Sequence, residues 1–299
     1  MKNDTMKKIL GLTLSAALSL SLLASCGGGA STQTPAPDES KAAEPAQSQA
    51  AEPAAPTKLV FGTSADYPPF EFHILEDGED KIVGLDVSVA KAIAEDMGAE
   101  LEIVDMNFDN LLTLMAQGKC DFVIADMEST PDREAAADAS DPYYEDLAPM
   151  VLVKKANLEQ YKSIEDFTGK NVGAQTGTNK ALIVTGEDEE TAPIHMTGAN
   201  AVLLTNVGDL INQLVYDKCD AVVLDGAVAV KYAQTNDELA VVEGIELGHV
   251  GLPCVWVAEG DPNGLLPAIN ETIAKLKAAG SIDTFKEEAD SLSDQAIGG

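Results

Sequence analysis

The sequence predicts an α/β protein of two similarly built lobes with parallel-rich sheets, and two observations carry that prediction. The first is an internal repeat: residues 107–126, NFDNLLTLMAQGKCDFVIAD, align without a gap to residues 206–225, NVGDLINQLVYDKCDAVVLD, at the constant offset that separates Cys120 from Cys219. The second is the alternation of short apolar runs with amphipathic stretches along the chain from Thr57 to Gly299, the pattern of strands covered by helices.

Taken in order, Leu59–Gly62 reads as a strand, Val87–Met97 as a helix capped by Asp86 and closed by Gly98, and Leu101–Val104 as the next strand. Each repeat copy reads as an amphipathic helix stopped at Gly118 or Asp217, followed by an apolar strand, Phe122–Ala125 or Ala221–Leu224. Each strand ends on an aspartate, Asp126 or Asp225. Between the copies lies a strand at Asn171–Ala174, and after the second copy a helix begins near Val228. Ligands of open α/β sheets collect beyond the carboxyl ends of the strands. Two such aspartates, one per lobe, therefore point to a cleft between the lobes.

The N-terminus sets the compartment. Lys2, Lys7 and Lys8 precede an apolar run, Ile9–Ala24, that is short for a membrane span and ends in small residues, as a secretory signal does. Leu23-Ala24-Ser25-Cys26 resembles the lipobox of bacterial lipoproteins, which implies acylation of Cys26 and anchoring to the bacterial cell membrane. Residues 26–56, rich in Gly, Ala, Ser, Gln, Pro and Glu, lack apolar periodicity and read as a flexible tether. A net charge of −31, with 50 acidic residues against 19 Lys and Arg, argues against nucleic acid or anionic lipid surfaces as partners, since both need a basic patch. Cys120, Cys219 and Cys254 form no CxxC pair and His73, His195 and His249 lie far apart, so neither a metal nor another cofactor is expected. Each of these cysteines sits in or beside an apolar strand pattern and is expected as a buried free thiol.

Five segments, FGTSADYPPFEF (61–72), GLDVSVAKAIAEDMG (84–98), CDFVIADMESTPDREAAADASDPYYED (120–146), GKNVGAQTGTNKA (169–181) and CDAVVLDGAVAV (219–230), resemble in order and spacing the polar amino-acid-binding proteins of bacterial ABC importers, the extracellular solute-binding proteins of family 3. The resemblance implies a two-lobed periplasmic-binding-protein (flytrap) fold with a discontinuous first lobe: residues 57–149 and 248–299 in lobe 1, and 150–247 in lobe 2. It also implies capture of a small, polar amino acid by a monomer that delivers it to an ABC permease.

By the same resemblance, Arg133 receives the ligand α-carboxylate and Asp225 its α-ammonium, while Tyr67 and Phe108 flank its side chain. A planar fork of donors suits a carboxylate. Asp225, at the end of a buried strand, needs a cationic partner if it is charged; it is also placed to cap the helix that follows. Thr178 and Asn179 stand at a glycine-assisted turn before a helix, where backbone N–H groups face an anion. Two departures blur the ligand's identity: Asp126-Met127-Glu128 replaces a hydroxyl-bearing Gly-Met-Thr, and Ser64 stands where histidine- and lysine-binding relatives carry an acid. Glu128 is expected either to pair with a cationic or donor-rich ligand side chain or to accept backbone donors and face away from the cleft. Two other functions are compatible with the same fold: a cyclohexadienyl or arogenate dehydratase using Glu128 as general acid, and a sensory binding domain.

Overall fold

The computed structural model describes residues 56–145, 147–188, 192–248 and 251–297. The signal segment 1–25, Cys26, the tether up to residue 55 and His249 lie outside the described residues. Strand β1 (Lys58–Thr63), the short β2 (Asp66–Tyr67) and the hairpin β3 (Glu71–Glu76) and β4 (Glu79–Val83) precede helix α1 (Leu85–Asp96) and β5 (Glu100–Asp105). A 3-10 turn (Phe108–Asn110) leads into α2 (Leu111–Ala116), β6 (Phe122–Val123), α3 (Pro131–Glu134) and β7 (Ala137–Ala139). Next come β8 (Met150–Lys154), β9 (Asn171–Gln175), α4 (Asn179–Thr185), β10 (Asn200–Leu204), α5 (Val207–Val215), β11 (Ala221–Leu224), α6 (Gly226–Thr235) and β12 (Leu239–Val242). The chain closes with β13 (Trp256–Ala258), α7 (Leu266–Ala279), α8 (Ser281–Leu292) and β14 (Ala296–Ile297).

Two five-stranded sheets share one plan. The first has the order β5-β1-β6-β13-β7 and the second β10-β9-β11-β8-β12. In each, the first three strands are parallel and the fourth runs antiparallel to both of its neighbours, so β1 corresponds to β9 and β6 to β11. The sequence repeat is thus the α2–β6 unit of one sheet and the α5–β11 unit of the other. The fourth strand of the first sheet, β13, arrives only after the second sheet is complete, which makes the first lobe discontinuous. The C-terminal helices α7 and α8 pack on α1 of that lobe. A third, small sheet joins β14, β3 and β2, with β4 on β3.

The helix stops in the two copies are physically alike. Gly118 (φ 72°) and Asp217 (φ 57°) both take the left-handed conformation. Lys119 N–H then reaches back to Leu114 O at 3.0 Å, and Lys218 N–H to Gln213 O at 2.8 Å. That back-bond ends a helix in the Schellman manner. The left-handed backbone costs a non-glycine residue such as Asp217 about 1 kcal/mol. All four residues of β11 are buried, as a strand covered on both faces requires.

Three expectations are corrected. Asp86 does not cap α1: Gly84 holds the cap position, and the Asp86 carboxylate is buried inside the lobe. Strand β6 ends at Val123 rather than Ala125, because Asp126 (φ 43°) turns the chain out of the ladder. Helix α6 begins at Gly226, two residues earlier than expected, and the Asp225 side chain makes no cap bond. Cys120, Cys219 and Cys254 are buried free thiols. Among the described residues no cluster of His, Cys, Asp or Glu could hold a metal ion, and no helix is long and apolar enough to cross a membrane.

Candidate ligand-binding cleft

The loop after β6 carries the arginine. Thr130 caps α3 by accepting from Arg133 N–H at 3.3 Å, and Pro131 presets the first turn. The returning segment clamps this loop from behind: Ser129 N–H donates to Leu252 O, Cys254 N–H to Met127 O, and the fully buried Trp256 donates its indole N–H to Met127 O at 3.0 Å. Gly251 (φ 70°) permits that approach, since a Cβ there would lie 2.1 Å from Ser129 O.

Arg133 is thereby aimed across the cleft. Its Nη1 donates to Glu128 O at 2.7 Å and lies 3.3 Å from Glu128 Oε2, its Nη2 donates to Gly177 O of the second lobe at 3.0 Å, and its guanidinium stands 5.5 Å from the centre of the Phe108 ring. From the other side, Tyr67 of the first lobe donates its hydroxyl to Asp225 Oδ2 at 2.7 Å and accepts from Asp225 N–H at 3.1 Å. Tyr67 is therefore a polar bridge between the lobes.

Between these poles stands Lys180, the last residue of GAQTGTNK, for which the sequence alone suggests no role. Lys180, 3% exposed in the first turn of α4, places its Nζ 2.6 Å from Asp225 Oδ2 and 2.7 Å from Glu128 Oε1. The result is an alternating row of charges, Arg133, Glu128, Lys180 and Asp225, with the first two on lobe 1 and the last two on lobe 2. Burial alone would lower the Lys180 pKa, but the charges of Asp225, Glu128 and Asp126 outweigh it and hold the ammonium above its ordinary value. Burial likewise raises Glu128, yet Lys180 and Arg133 bring its carboxyl below the usual range. Asp225 is raised by burial and by the charge of Glu128, against lowering by Lys180 and Tyr67.

Glu128 does not face away: it faces the cleft, where Arg133 and Lys180 are its partners. A lysine in the first turn of a helix opposes the helix dipole, and this was the available signal that Lys180 has acidic partners.

The remaining candidates sit around this row. Thr178 caps α4, accepting from Ala181 N–H at 3.2 Å and donating to Gln175 O at 2.7 Å, and Asn179 beside it is buried. Asp126 is buried and donates its N–H to Asp86 Oδ2 at 2.7 Å, while Tyr143 donates to Asp86 Oδ1 at 2.7 Å. Burial pushes the Asp86 carboxyl up to about 6 and holds that of Glu71, repelled also by Asp86 and Asp126, well above its ordinary value. Ser64 lines a cavity of about 270 Å³ with Asp66, Asp105, His73, Asn107 and, from the second lobe, Asn206. Asp66 ties the lobes again by accepting from Val207 N–H at 2.7 Å.

Comparison with known proteins follows the same outline. Residues 59–288 match the model of the bacterial extracellular solute-binding proteins, family 3. An arginine-binding extracellular protein of Bacillus subtilis is 31% identical over 233 residues, covering 77% of this chain and 85% of its own. An L-cystine-binding protein of Escherichia coli is 28% identical over 77% of this chain and 81% of its own. Among solved structures, an amino acid ABC transporter substrate-binding protein of Streptococcus pneumoniae bound to L-arginine is 37% identical, with a TM-score of 0.73, and the match covers 79% of this chain and 94% of that one.

Proposed function

The chain belongs to the bacterial extracellular solute-binding proteins, family 3, and from that premise we propose that it captures a cationic amino acid, arginine first, between its lobes and presents it to an ABC permease. The observation that carries this reading is the pair of opposite charges, Arg133 on lobe 1 and Asp225 on lobe 2, that face one cleft. A zwitterion entering there gives its carboxylate to the guanidinium and its ammonium to Asp225. Neither pole alone holds it, so binding and lobe closure are coupled.

The cationic side chain is supported by charge. Asp66 and Asp105 line the cavity beside Ser64, and their carboxylates suit a guanidinium or ammonium. The relatives named above bind arginine and cystine, and they are binding proteins rather than catalysts. We propose further that the protein acts as a monomer outside the cytoplasm, held to the membrane by a lipid on Cys26, on the strength of the Leu23–Cys26 sequence and the tether after it.

A thermal-shift screen of the purified full-length protein in detergent against the common amino acids tests the reading, because a ligand bound only by the folded state raises the melting point by mass action. Arginine and lysine are expected to give the largest shifts. A screen led by an acidic amino acid would overturn the proposed class.

A further inference from the structure

We propose that Glu128 and Lys180 form an internal counterfeit of the ligand's head group, which holds the lobes together and sets the affinity threshold that a ligand must exceed; this rests on the amino-acid-binding reading above. The geometry is that of the zwitterion itself. The Glu128 carboxylate lies on Arg133 and the Lys180 ammonium on Asp225, and the two are joined at 2.7 Å across the cleft. Each group stands where the resemblance puts a ligand pole: carboxylate on arginine, ammonium on aspartate.

Nothing else in the local structure accounts for Lys180. A buried ammonium is costly unless paired, and the first turn of a helix disfavours a cation. Its position is explained by the two carboxylates that flank it, one from each lobe. The pair adds no net charge, so it does not repel a zwitterion; it competes with it for the same partners.

Competition has a direct consequence. An amino acid gains Arg133 and Asp225 only in the fraction of molecules where the internal pair has let go, so its apparent affinity is lowered by that fraction. The reduction is the same for every α-amino acid. Only ligands with further contacts, such as a cation reaching Asp66 and Asp105, then bind tightly at working concentrations. Glu128 and Lys180 therefore set the affinity threshold for every ligand alike, without touching the ligand side chain, and leave the ranking of ligands to those further contacts.

The test is the Glu128→Thr/Lys180→Met double variant of the full-length protein in detergent, which removes both charges and keeps the stem of the lysine. Two readouts are independent. Calorimetric titration is expected to show L-arginine binding about tenfold tighter or more, with L-glutamine rising into the measurable range. Hydrogen exchange without added amino acid is expected to show faster exchange at the Val207 and Asp225 amides, which are bonded across the cleft to Asp66 and Tyr67, while the β11 amides of Val222 and Val223 stay protected and report an intact fold. Weaker or unchanged arginine binding in the double variant would overturn the proposal. If neither protein binds any amino acid, the functional reading fails, and the exchange data still decide: unchanged protection at Val207 and Asp225 overturns the internal pair as a clasp.

Discussion

The Tyr67 hydroxyl donates to Asp225 Oδ2 at 2.7 Å and accepts from the N–H of the same residue at 3.1 Å, so one side chain of the first lobe satisfies two polar groups at the end of a buried strand of the second. Replacing Tyr67 by Phe leaves the ring packing in place and strips both bonds. Because buried groups lose partners, the expected cost is about 1–3 kcal/mol. Urea unfolding followed by circular dichroism measures it, and an unchanged midpoint would mean that this bridge contributes nothing.

Stability is expected to carry a pH signature from Asp66. Burial raises its carboxyl to about 6, against lowering by the Val207 N–H and Ser64. The unfolded chain titrates the same group near 3.9. The folded state therefore binds the proton more tightly, and the stability this provides is complete below about pH 4 and lost as the pH rises through about 6. Two pKa units correspond to on the order of 2–3 kcal/mol. The difference in unfolding free energy between the native protein and Asp66→Asn should fall by about that amount from pH 4 to pH 7. A flat or rising difference would contradict the assignment.

Lipid attachment is expected at one thiol. Cys26→Ser removes the acceptor, so metabolic labelling with palmitate should mark the native protein and leave the variant unlabelled. Persistent labelling of the variant would exclude Cys26 as the site.

The doubled architecture was legible because each copy writes the same physics into the chain: an amphipathic helix, a left-handed stop at Gly118 or Asp217, and a strand apolar enough to be buried on both faces. The first-lobe hairpin was not, because β4 is exposed or half-buried throughout and shows no apolar alternation. Arg133, Tyr67 and Asp225 were found as site candidates through their motifs. Asp86 was misread as a cap because an aspartate near a helix start usually is one, and its true partners, Tyr143 and Asp126, lie 57 and 40 residues away. Lys180 escaped for the same reason. Glu128 is 52 residues distant, and no local period connects them.

If Arg133 and Asp225 hold the two poles of one amino acid across the cleft, each must be needed for binding, and titration calorimetry of L-arginine into the native protein, Arg133→Ala and Asp225→Ala measures that need. The expected result is saturable one-to-one binding to the native protein and a loss of about 2–5 kcal/mol in each variant, the cost of truncating one partner of a buried charge pair. Near-native affinity in either variant would contradict it.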